Sequence, residues 1–132
     1  MSNEVLRDSV LVIDDDADFR TLVAAIAELY GVPVLQAPDC HKGLSVLERR
    51  HRRIKLVLLD YLMPGMEPVK CAAAIIAKTG RSIPVVLITA AVDPGARAAE
   101  LKISRWIAKP IEASVLVRLL TKDTPPGNKL SA

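Results

Sequence analysis

Short apolar runs alternate with segments of helical period along this chain. The apolar runs are typical of buried strands, and in the segments between them apolar residues recur every three or four positions. The predicted strands are Val10 to Ile13, Val32 to Ala37, Lys55 to Leu59, Ile83 to Ile88 and Ile103 to Ala108. The predicted helices are Phe19 to Tyr30, Asp39 to His51, Pro68 to Gly80, Asp93 to Leu101 and Glu112 to Leu120. This alternation predicts an α/β fold with a mostly parallel sheet.

A proline places the second predicted strand at an edge of the sheet. Pro33 has no backbone N–H, so it cannot complete a hydrogen-bond ladder on both sides of a strand. The third predicted strand, by contrast, is apolar enough to be buried on both faces, which is typical of a central strand. We therefore expect the second strand to lie outermost and the third strand to lie inside the sheet.

The composition fits one domain with an aliphatic core. Of the 132 residues, 51% are hydrophobic and 3% are aromatic, so the chain can build a core without metal ions or disulfide bonds. We expect residues 1–121 to form this domain and residues 122–132 to be a short disordered tail. The longest uncharged stretch, Ser82 to Val92, is far shorter than the roughly 20 residues of a membrane span. A soluble protein with no membrane partner is therefore expected.

The N-terminal residues bear on where the protein is found and on its two cysteines, Cys40 and Cys71. Met1 to Asp8 is polar and charged, whereas a secretory signal would need an apolar segment there. We therefore expect a cytoplasmic protein in which both cysteine thiols are reduced.

The charge of the chain does not favour a nucleic-acid partner. Eighteen Lys and Arg against 15 Asp and Glu give a net charge of only +3. The basic run within Glu48 to Lys55 has no aromatic residues between its charges and no recognition motif. We interpret it as a solvated helix end, where basic residues suit the helix dipole.

Four of the five predicted strands end in a residue that can hold a metal ion or a phosphoryl group. The acidic run Asp14 to Asp16 follows the first strand, Asp60 the third, Thr89 the fourth and Lys109 the fifth. Ligands of open α/β sheets bind outside the carboxyl ends of the strands, where the strand order reverses. We therefore expect Asp14, Asp15 and Asp60 to converge on one small volume.

Such a cluster predicts a divalent cation and phosphoryl chemistry. Three neighbouring carboxylates would raise one another's pKa unless a cation compensates them. Mg²⁺ fits, because it prefers oxygen ligands and is held by only a few carboxylates. The ammonium of Lys109 and the hydroxyl of Thr89 can hold phosphoryl oxygens. The set therefore predicts transfer of a phosphoryl group to a carboxylate, with Asp60 as the candidate nucleophile.

At these strand ends the sequence resembles the receiver domain of response regulators, the CheY-like phosphoacceptor module of two-component signalling. The matching motifs are Val-Leu-Val-Ile-Asp-Asp-Asp, Val-Leu-Leu-Asp-Tyr-Leu-Met-Pro-Gly-Met, Ile-Thr-Ala-Ala and Ala-Lys-Pro. The resemblance extends from Val10 to about Leu120. It implies a doubly wound, flavodoxin-like fold, with five parallel strands in the order 2-1-3-4-5 and five helices in a three-layer sandwich.

The resemblance also implies a role for each strand-end residue. Asp60 is the implied phosphoacceptor. The implied ligands of Mg²⁺, or of Mn²⁺ in its place, are the carboxylates of Asp14, Asp15 and Asp60 and the backbone carbonyl of Leu62. The implied phosphoryl-binding and switch residues are Thr89, Ala90, Lys109 and Trp106. The peptide bond between Lys109 and Pro110 is implied to be cis, although few X–Pro bonds are.

The sequence departs from the family pattern at three places. Glu67-Pro68 stands where the family commonly has Asp-Gly, which stiffens the start of the third helix. Lys102-Ile103 stands in place of a Gly-Ala pair, and Trp106 in place of Tyr or Phe. Because an indole is bulkier than either ring, we expect its inward swing on phosphorylation to be restricted.

The function predicted on these grounds is a signalling switch rather than an enzyme, catalysing only its own phosphorylation and dephosphorylation. It would accept phosphate from a histidine kinase or a histidine phosphotransfer protein. A surface around the fourth helix and fifth strand would then report its state to an unknown downstream protein. A homodimer through the fourth helix, fifth strand and fifth helix is also left open.

Three alternatives remain at this point. A phosphohydrolase could use the Asp14-x-Asp16 pair, but Asp18 stands where that family has Thr or Val, and Asp60 would have no role. The chain could be a receiver cut from a longer transcriptional or enzymatic regulator, with its proline-containing end as a linker. It could also act without phosphate, as a dimer or scaffold.

Overall fold

Strands and helices alternate through residues 7–122, the part of the chain that this computed structural model describes. The strands are β1 (Ser9–Ile13), β2 (Val34–Ala37), β3 (Ile54–Leu59), β4 (Val85–Thr89) and β5 (Arg105–Ala108). The helices are α1 (Ala17–Leu29), α2 (Cys40–Arg50), α3 (Pro68–Thr79), α4 (Pro94–Glu100) and α5 (Ala113–Thr121). A 3-10 turn, His51–Arg53, joins α2 to β3. All neighbouring strands are parallel in the order β2-β1-β3-β4-β5, which confirms the predicted fold class and both strand placements.

Prolines explain why two strands begin later than predicted. β2 starts at Val34, because the preceding Pro33 has no N–H to donate. The carbonyl of Pro33 nevertheless accepts a hydrogen bond of 2.9 Å from the backbone N–H of Val10, so the chain already runs beside β1. In the same way β4 starts at Val85, directly after Pro84.

A tight turn shortens the last strand. β5 starts at Arg105 rather than at Ile103, because the backbone N–H of Ile103 donates to the carbonyl of Ala98 in α4 at 2.9 Å. Lys102, just before it, has a φ of 59°, in the left-handed region that favours glycine. The chain therefore closes the end of α4 before it enters the sheet.

Short polar side chains and one proline begin most of the helices. The carboxylates of Asp16, Asp39 and Asp93 accept backbone N–H groups at the first turns of α1, α2 and α4. α3 begins at Pro68, where the missing N–H is not needed, and is followed by Gly80 in a left-handed conformation. The helix starts follow from local sequence, which is why the sequence predicted them closely.

The sheet separates two apolar layers, because successive strand residues point to opposite faces. One layer is shared with α2, α3 and α4 and includes Leu11, Ile13, Val57, Leu59 and Leu87. The other is shared with α1 and α5 and includes Val10, Val12, Leu56, Leu58 and Ile88. None of the helices within the described residues has the length and apolar character that a bilayer-spanning helix needs.

The expectation of reduced cysteines is wrong, because Cys40 and Cys71 form a disulfide bond between α2 and α3. Both side chains face the same apolar layer and are almost fully buried. Their Cα atoms lie 6.0 Å apart, within the usual range for such a bond. The two residues are 31 positions apart and sit on different helices, so their spacing in the sequence carried no sign of the pairing.

The predicted tail, residues 122–132, lies outside the described residues except for Lys122, so its disorder stays a prediction.

The disulfide is expected to stabilise the fold by about 3 to 4 kcal/mol, because it restricts a loop of this length in the unfolded chain. Urea unfolding should therefore show a lower midpoint for the reduced protein than for the oxidised one. The Cys40→Ala/Cys71→Ala variant should match the reduced protein more closely and should not respond to reductant. A midpoint unchanged by reductant, with both thiols shown by alkylation to be free, would contradict this expectation.

Candidate functional site

Three carboxylates meet at the carboxyl ends of β1 and β3, as the sequence predicted. Asp14, Asp15 and Asp60 each place one carboxylate oxygen within 4.8 Å of the others. Backbone hydrogen bonds hold the two strand ends side by side, since the N–H of Asp60 donates to the carbonyl of Ile13 at 3.1 Å. Asp14 and Asp60 are buried, with 1% and 6% exposure, whereas Asp15 is open to solvent. The cluster is therefore a half-enclosed pocket with one exposed side.

Backbone groups orient the two buried carboxylates. One oxygen of Asp14 accepts the N–H of Asp16 at 3.0 Å. One oxygen of Asp60 accepts the N–H of Leu62 at 3.1 Å, so the backbone of Leu62 lies beside the cluster. Each carboxylate thus has one oxygen held by the chain and a second oxygen that faces a cation.

That cation is Lys109, which bridges both carboxylates. Its Nζ donates to Asp14 Oδ2 at 2.7 Å and to Asp60 Oδ2 at 3.3 Å. The same Nζ lies 4.4 Å from the ring centroid of Phe19 in α1, a cation–π contact. The peptide bond between Lys109 and Pro110 is cis, as expected. The end of β1 with the start of α1, and the end of β3, therefore converge on one ammonium group that follows β5.

The charges in this pocket do not balance. Burial raises the pKa of Asp14 above its usual value, and the charge of Asp60 adds to this, although Lys109 and the N–H of Asp16 oppose it. Burial also disfavours the charged form of Lys109, but its hydrogen bond to Asp14 and the field of both carboxylates raise its pKa on balance. The pocket holds three carboxylates but only one ammonium group, so negative charge remains that a further cation can neutralise.

The donor set fits a small divalent cation. The three carboxylates supply hard oxygen ligands, and the exposed side at Asp15 leaves room for the waters that Mg²⁺ retains. Burial, and to a smaller extent the charge of Asp60, raises the pKa of Asp14, so the ionised form is disfavoured without a further cation. A cation bound there would therefore stabilise the ionised forms.

The other predicted site residues lie on β4, directly after it and on β5. Thr89 is fully buried at the end of β4, where its Oγ1 accepts the N–H of Ala91 at 3.2 Å. Ala90 borders a groove that also includes Lys109. Trp106 is half-buried on β5 and packs against Gly95 of α4, where an added Cβ would lie 3.2 Å from the indole ring. Trp106 therefore belongs to the α4–β5 side of the domain rather than to the carboxylate cluster.

Two contacts near the site were not predicted. Arg20 of α1 donates to the backbone carbonyl of Asp14 at 2.7 Å and so supports the β1–α1 loop. Tyr61, next to the candidate nucleophile, donates its hydroxyl hydrogen to Glu100 of α4 at 3.0 Å, and Arg97 pairs with the same carboxylate. The position of α4 relative to the β3–α3 loop decides this second contact, and no local pattern in the sequence shows it.

Comparison with known proteins decides the family. Residues 10–121 match the response regulator receiver domain. The chain belongs to this family. Receiver domains are the signalling switches of two-component systems, and the family binds Mg²⁺ in an acidic pocket.

Relatives of this receiver domain occur as short and as longer proteins. An uncharacterized 14.6 kDa protein of Leptolyngbya boryana is 32% identical over 114 residues, which cover 84% of this chain and 86% of that protein. The DNA-binding response regulator MtrA of Mycobacterium tuberculosis is 29% identical over 135 residues, covering 97% of this chain but only 58% of MtrA. The chain thus spans less than two thirds of the length of MtrA.

Solved structures agree on the fold. The chemotaxis protein CheY4 of Vibrio cholerae superposes with a TM-score of 0.74 at 21% identity, covering 88% of this receiver domain and 98% of the CheY4 chain. At this identity the likeness shows the shared fold and nothing further.

Replacing the buried Asp14 with Asn should stabilise the metal-free protein at neutral pH. Burial raises the pKa of Asp14, so its ionised form is disfavoured in the folded state, and an uncharged side chain removes that cost. We expect a higher free energy of unfolding than that of wild type, measured with urea in the presence of a chelator. Asp15→Asn, at the exposed member of the cluster, is the control and should have a smaller effect. An Asp14→Asn protein that is less stable than wild type would show that its pairing with Lys109 outweighs the cost of burial.

Proposed function

We propose that this receiver domain is a phosphoacceptor switch that is phosphorylated on Asp60 in a reaction that requires Mg²⁺. The observation that carries the proposal is the bridge from Lys109 Nζ to both Asp14 and Asp60. An ammonium beside a carboxylate can stabilise the negative charge of an incoming phosphoryl group, and such charge stabilisation provides most of the catalysis in phosphoryl transfer.

Asp60 is better placed than Asp14 to be the nucleophile. Each of these two carboxylates accepts one backbone N–H and one contact from Lys109, but the contact to Asp14 is the shorter, at 2.7 Å. Asp60 holds Lys109 less closely, at 3.3 Å, and is more exposed than Asp14. In the proposed step an oxygen of Asp60 forms a bond to phosphorus while the bond from phosphorus to the donor nitrogen breaks, and the leaving nitrogen takes a proton.

The remaining residues have distinct proposed roles. Asp14, Asp15 and Asp60, with the backbone carbonyl of Leu62, are the proposed ligands of Mg²⁺ or Mn²⁺. When bound, the cation would offset the charge of the carboxylates and of the phosphoryl oxygens. Lys109, Thr89 and Ala90 are proposed to hold those oxygens. Trp106, packed below α4, is proposed to respond to the state of the site.

A groove beside the site suits a protein phosphodonor. It has a volume of about 450 Å³ and is lined by α1 and the loop after β5, including Phe19, Leu22, Pro110 and Ile111. This mostly apolar surface next to Lys109 supports docking of a histidine kinase or histidine phosphotransfer protein. A cytoplasmic location follows from that proposed partnership.

The signal is proposed to leave by protein contact through α4, β5 and α5, either to a downstream protein or to a second copy of the chain. A different candidate is a receiver that forms part of a larger regulator. The comparison with MtrA favours this candidate, because the region similar to this chain makes up only 58% of that DNA-binding protein. Nucleic acid is not proposed as a direct partner of the receiver itself.

The acceptor assignment predicts a mass increase of one phosphoryl group when the protein is mixed with a small phosphodonor and Mg²⁺. Intact mass spectrometry should show the increase in wild type and none in Asp60→Asn. Glu28→Gln, which removes an exposed carboxylate outside both the cluster and the groove, is the matched control and should behave like wild type. An increase that persists in Asp60→Asn would remove the assignment, and loss of the increase without Mg²⁺ would support the metal requirement.

The proposed link from Asp60 to α4 predicts a change in tryptophan fluorescence on activation. Trp106 is the single tryptophan of the chain, so the signal has one source. Because its indole packs directly on Gly95, even a small shift of α4 should alter the environment of the ring. Beryllofluoride with Mg²⁺ should change the emission of wild type and leave Asp60→Asn unchanged. An emission spectrum that stays constant while mass spectrometry shows phosphorylated Asp60 would rule out this route.

A further inference from the structure

Tyr61 links the loop that follows β3 to helix α4. Its ring packs against the apolar layer that the sheet shares with α2, α3 and α4. Its hydroxyl donates to the carboxylate of Glu100 at 3.0 Å, and the guanidinium of Arg97 lies 5.7 Å from the centroid of its ring. Arg97 also pairs with Glu100 at 3.0 Å. These three residues therefore form a closed set of contacts between the loop and the helix, which we call the Tyr61 cluster.

The loop end of this cluster is fixed by the candidate acceptor itself. Tyr61 directly follows Asp60, and the next residue, Leu62, donates its backbone N–H to one oxygen of the Asp60 carboxylate at 3.1 Å. The backbone of Tyr61 is therefore enclosed in a turn that closes on that carboxylate. A hydrogen bond to a charged acceptor is roughly twice as strong as one to a neutral acceptor. The charge of Asp60 thus helps to fix the position from which Tyr61 reaches α4.

Phosphorylation would weaken this turn. When the oxygen of Asp60 that faces Lys109 forms a bond to phosphorus, the carboxylate becomes an acyl phosphate. The other oxygen, which accepts the N–H of Leu62, then becomes an uncharged carbonyl. The turn loses its charged acceptor, while the new phosphoryl oxygens require donors of their own. The loop can then shift, and a shift of Tyr61 lengthens its contact with Glu100.

The helix end of the cluster carries a buried donor that is not satisfied. Nε of Arg97 is buried and donates to no group within residues 7–122, although the same side chain pairs with Glu100 through another nitrogen. A buried donor without an acceptor destabilises the arrangement that buries it. Movement of α4 away from Tyr61 would expose this nitrogen to water. The closed cluster can therefore open when the turn at Asp60 weakens.

We propose that the Tyr61 cluster is a latch that holds α4 in its unphosphorylated position and opens when Asp60 is phosphorylated. This inference rests on the proposed function and adds a route that differs from the one through Trp106. Trp106 contacts α4 from β5, whereas Tyr61 contacts it from the position next to the acceptor. Because coupling between two sites is reciprocal, opening the latch favours the phosphorylated state as much as phosphorylation favours opening. Removal of the latch should therefore increase the affinity for a mimic of the phosphoryl group.

Titration of the full chain with beryllofluoride in the presence of Mg²⁺ measures that affinity, with fluorine NMR to separate bound from free beryllofluoride. The first variant is Tyr61→Phe, which keeps the ring and removes only the hydroxyl. The second is Glu100→Asp, which keeps the charge but shortens the side chain. Each should bind beryllofluoride roughly 3-fold more tightly than wild type, as expected for the loss of one polar contact that is open to solvent. A contact that served stability alone would not give tighter binding when removed.

Two further variants separate the latch from general effects. Tyr30→Phe removes the other tyrosine hydroxyl of the chain, at an exposed position just after α1, and should keep wild-type affinity. Tyr61→Phe/Glu100→Asp should bind no more tightly than the tighter single variant, because both substitutions break the same contact. Hydrogen exchange of α4 in the metal-free protein should be faster in Tyr61→Phe than in wild type, whereas exchange of the cross-linked α2 should be unchanged.

Tighter binding by both single variants, with wild-type affinity in Tyr30→Phe, supports the latch. Equal or weaker binding by Tyr61→Phe would overturn it and leave the proposed function intact, as would hydrogen exchange of α4 that does not change. An equal gain in Tyr30→Phe would also overturn it, because the effect would not come from the contact with Glu100. If wild type itself binds no beryllofluoride, the proposed phosphorylation of Asp60 fails and the latch fails with it.

Discussion

The contact of one ammonium with two buried carboxylates is the interaction on which the functional end of the domain depends. Lys109 can reach Asp14 and Asp60 only because β1 and β3 are adjacent and Lys109 directly follows β5 at the same edge of the sheet, where its backbone N–H donates to the carbonyl of Thr89 at the end of β4. Without that cation two carboxylates with almost no exposure would repel each other in a poorly solvated pocket. The strand order therefore determines the chemistry of the pocket, because it decides which charged side chains meet there. The remaining negative charge makes the pocket suited to a divalent cation and then to a phosphoryl group.

Much of the fold, and the location of the candidate site, could be predicted from the sequence because both follow from local signals. The apolar runs mark the strands, and polar residues directly after them must lie at the carboxyl edge of a parallel sheet. Features that depend on how helices rotate against the sheet could not be predicted in this way. The disulfide between Cys40 and Cys71 is one, since the rotation of both α2 and α3 decides whether the two sulfurs meet. The burial of Arg105 is another, because arginine in a strand is usually placed at the surface.

The two halves of the domain also differ in how firmly their helices are held. On the β1–β3 side the disulfide joins α2 to α3, and Gly43 lets α2 approach β1 so closely that an added Cβ would lie 2.5 Å from Ile13. On the β4–β5 side α4 has only seven residues and rests on the indole of Trp106. Its polar contact with Tyr61, through the exposed Glu100, is open to solvent and therefore weak. On one side of Asp60 the cross-linked, closely packed helices therefore resist movement when the charge at Asp60 changes. On the other side the short helix α4 is held only weakly. Moving α4 costs less free energy than moving the cross-linked helices. We therefore expect the structural response on the α4–β5 face, even though the indole of Trp106 is bulkier than the Tyr or Phe ring common in the family.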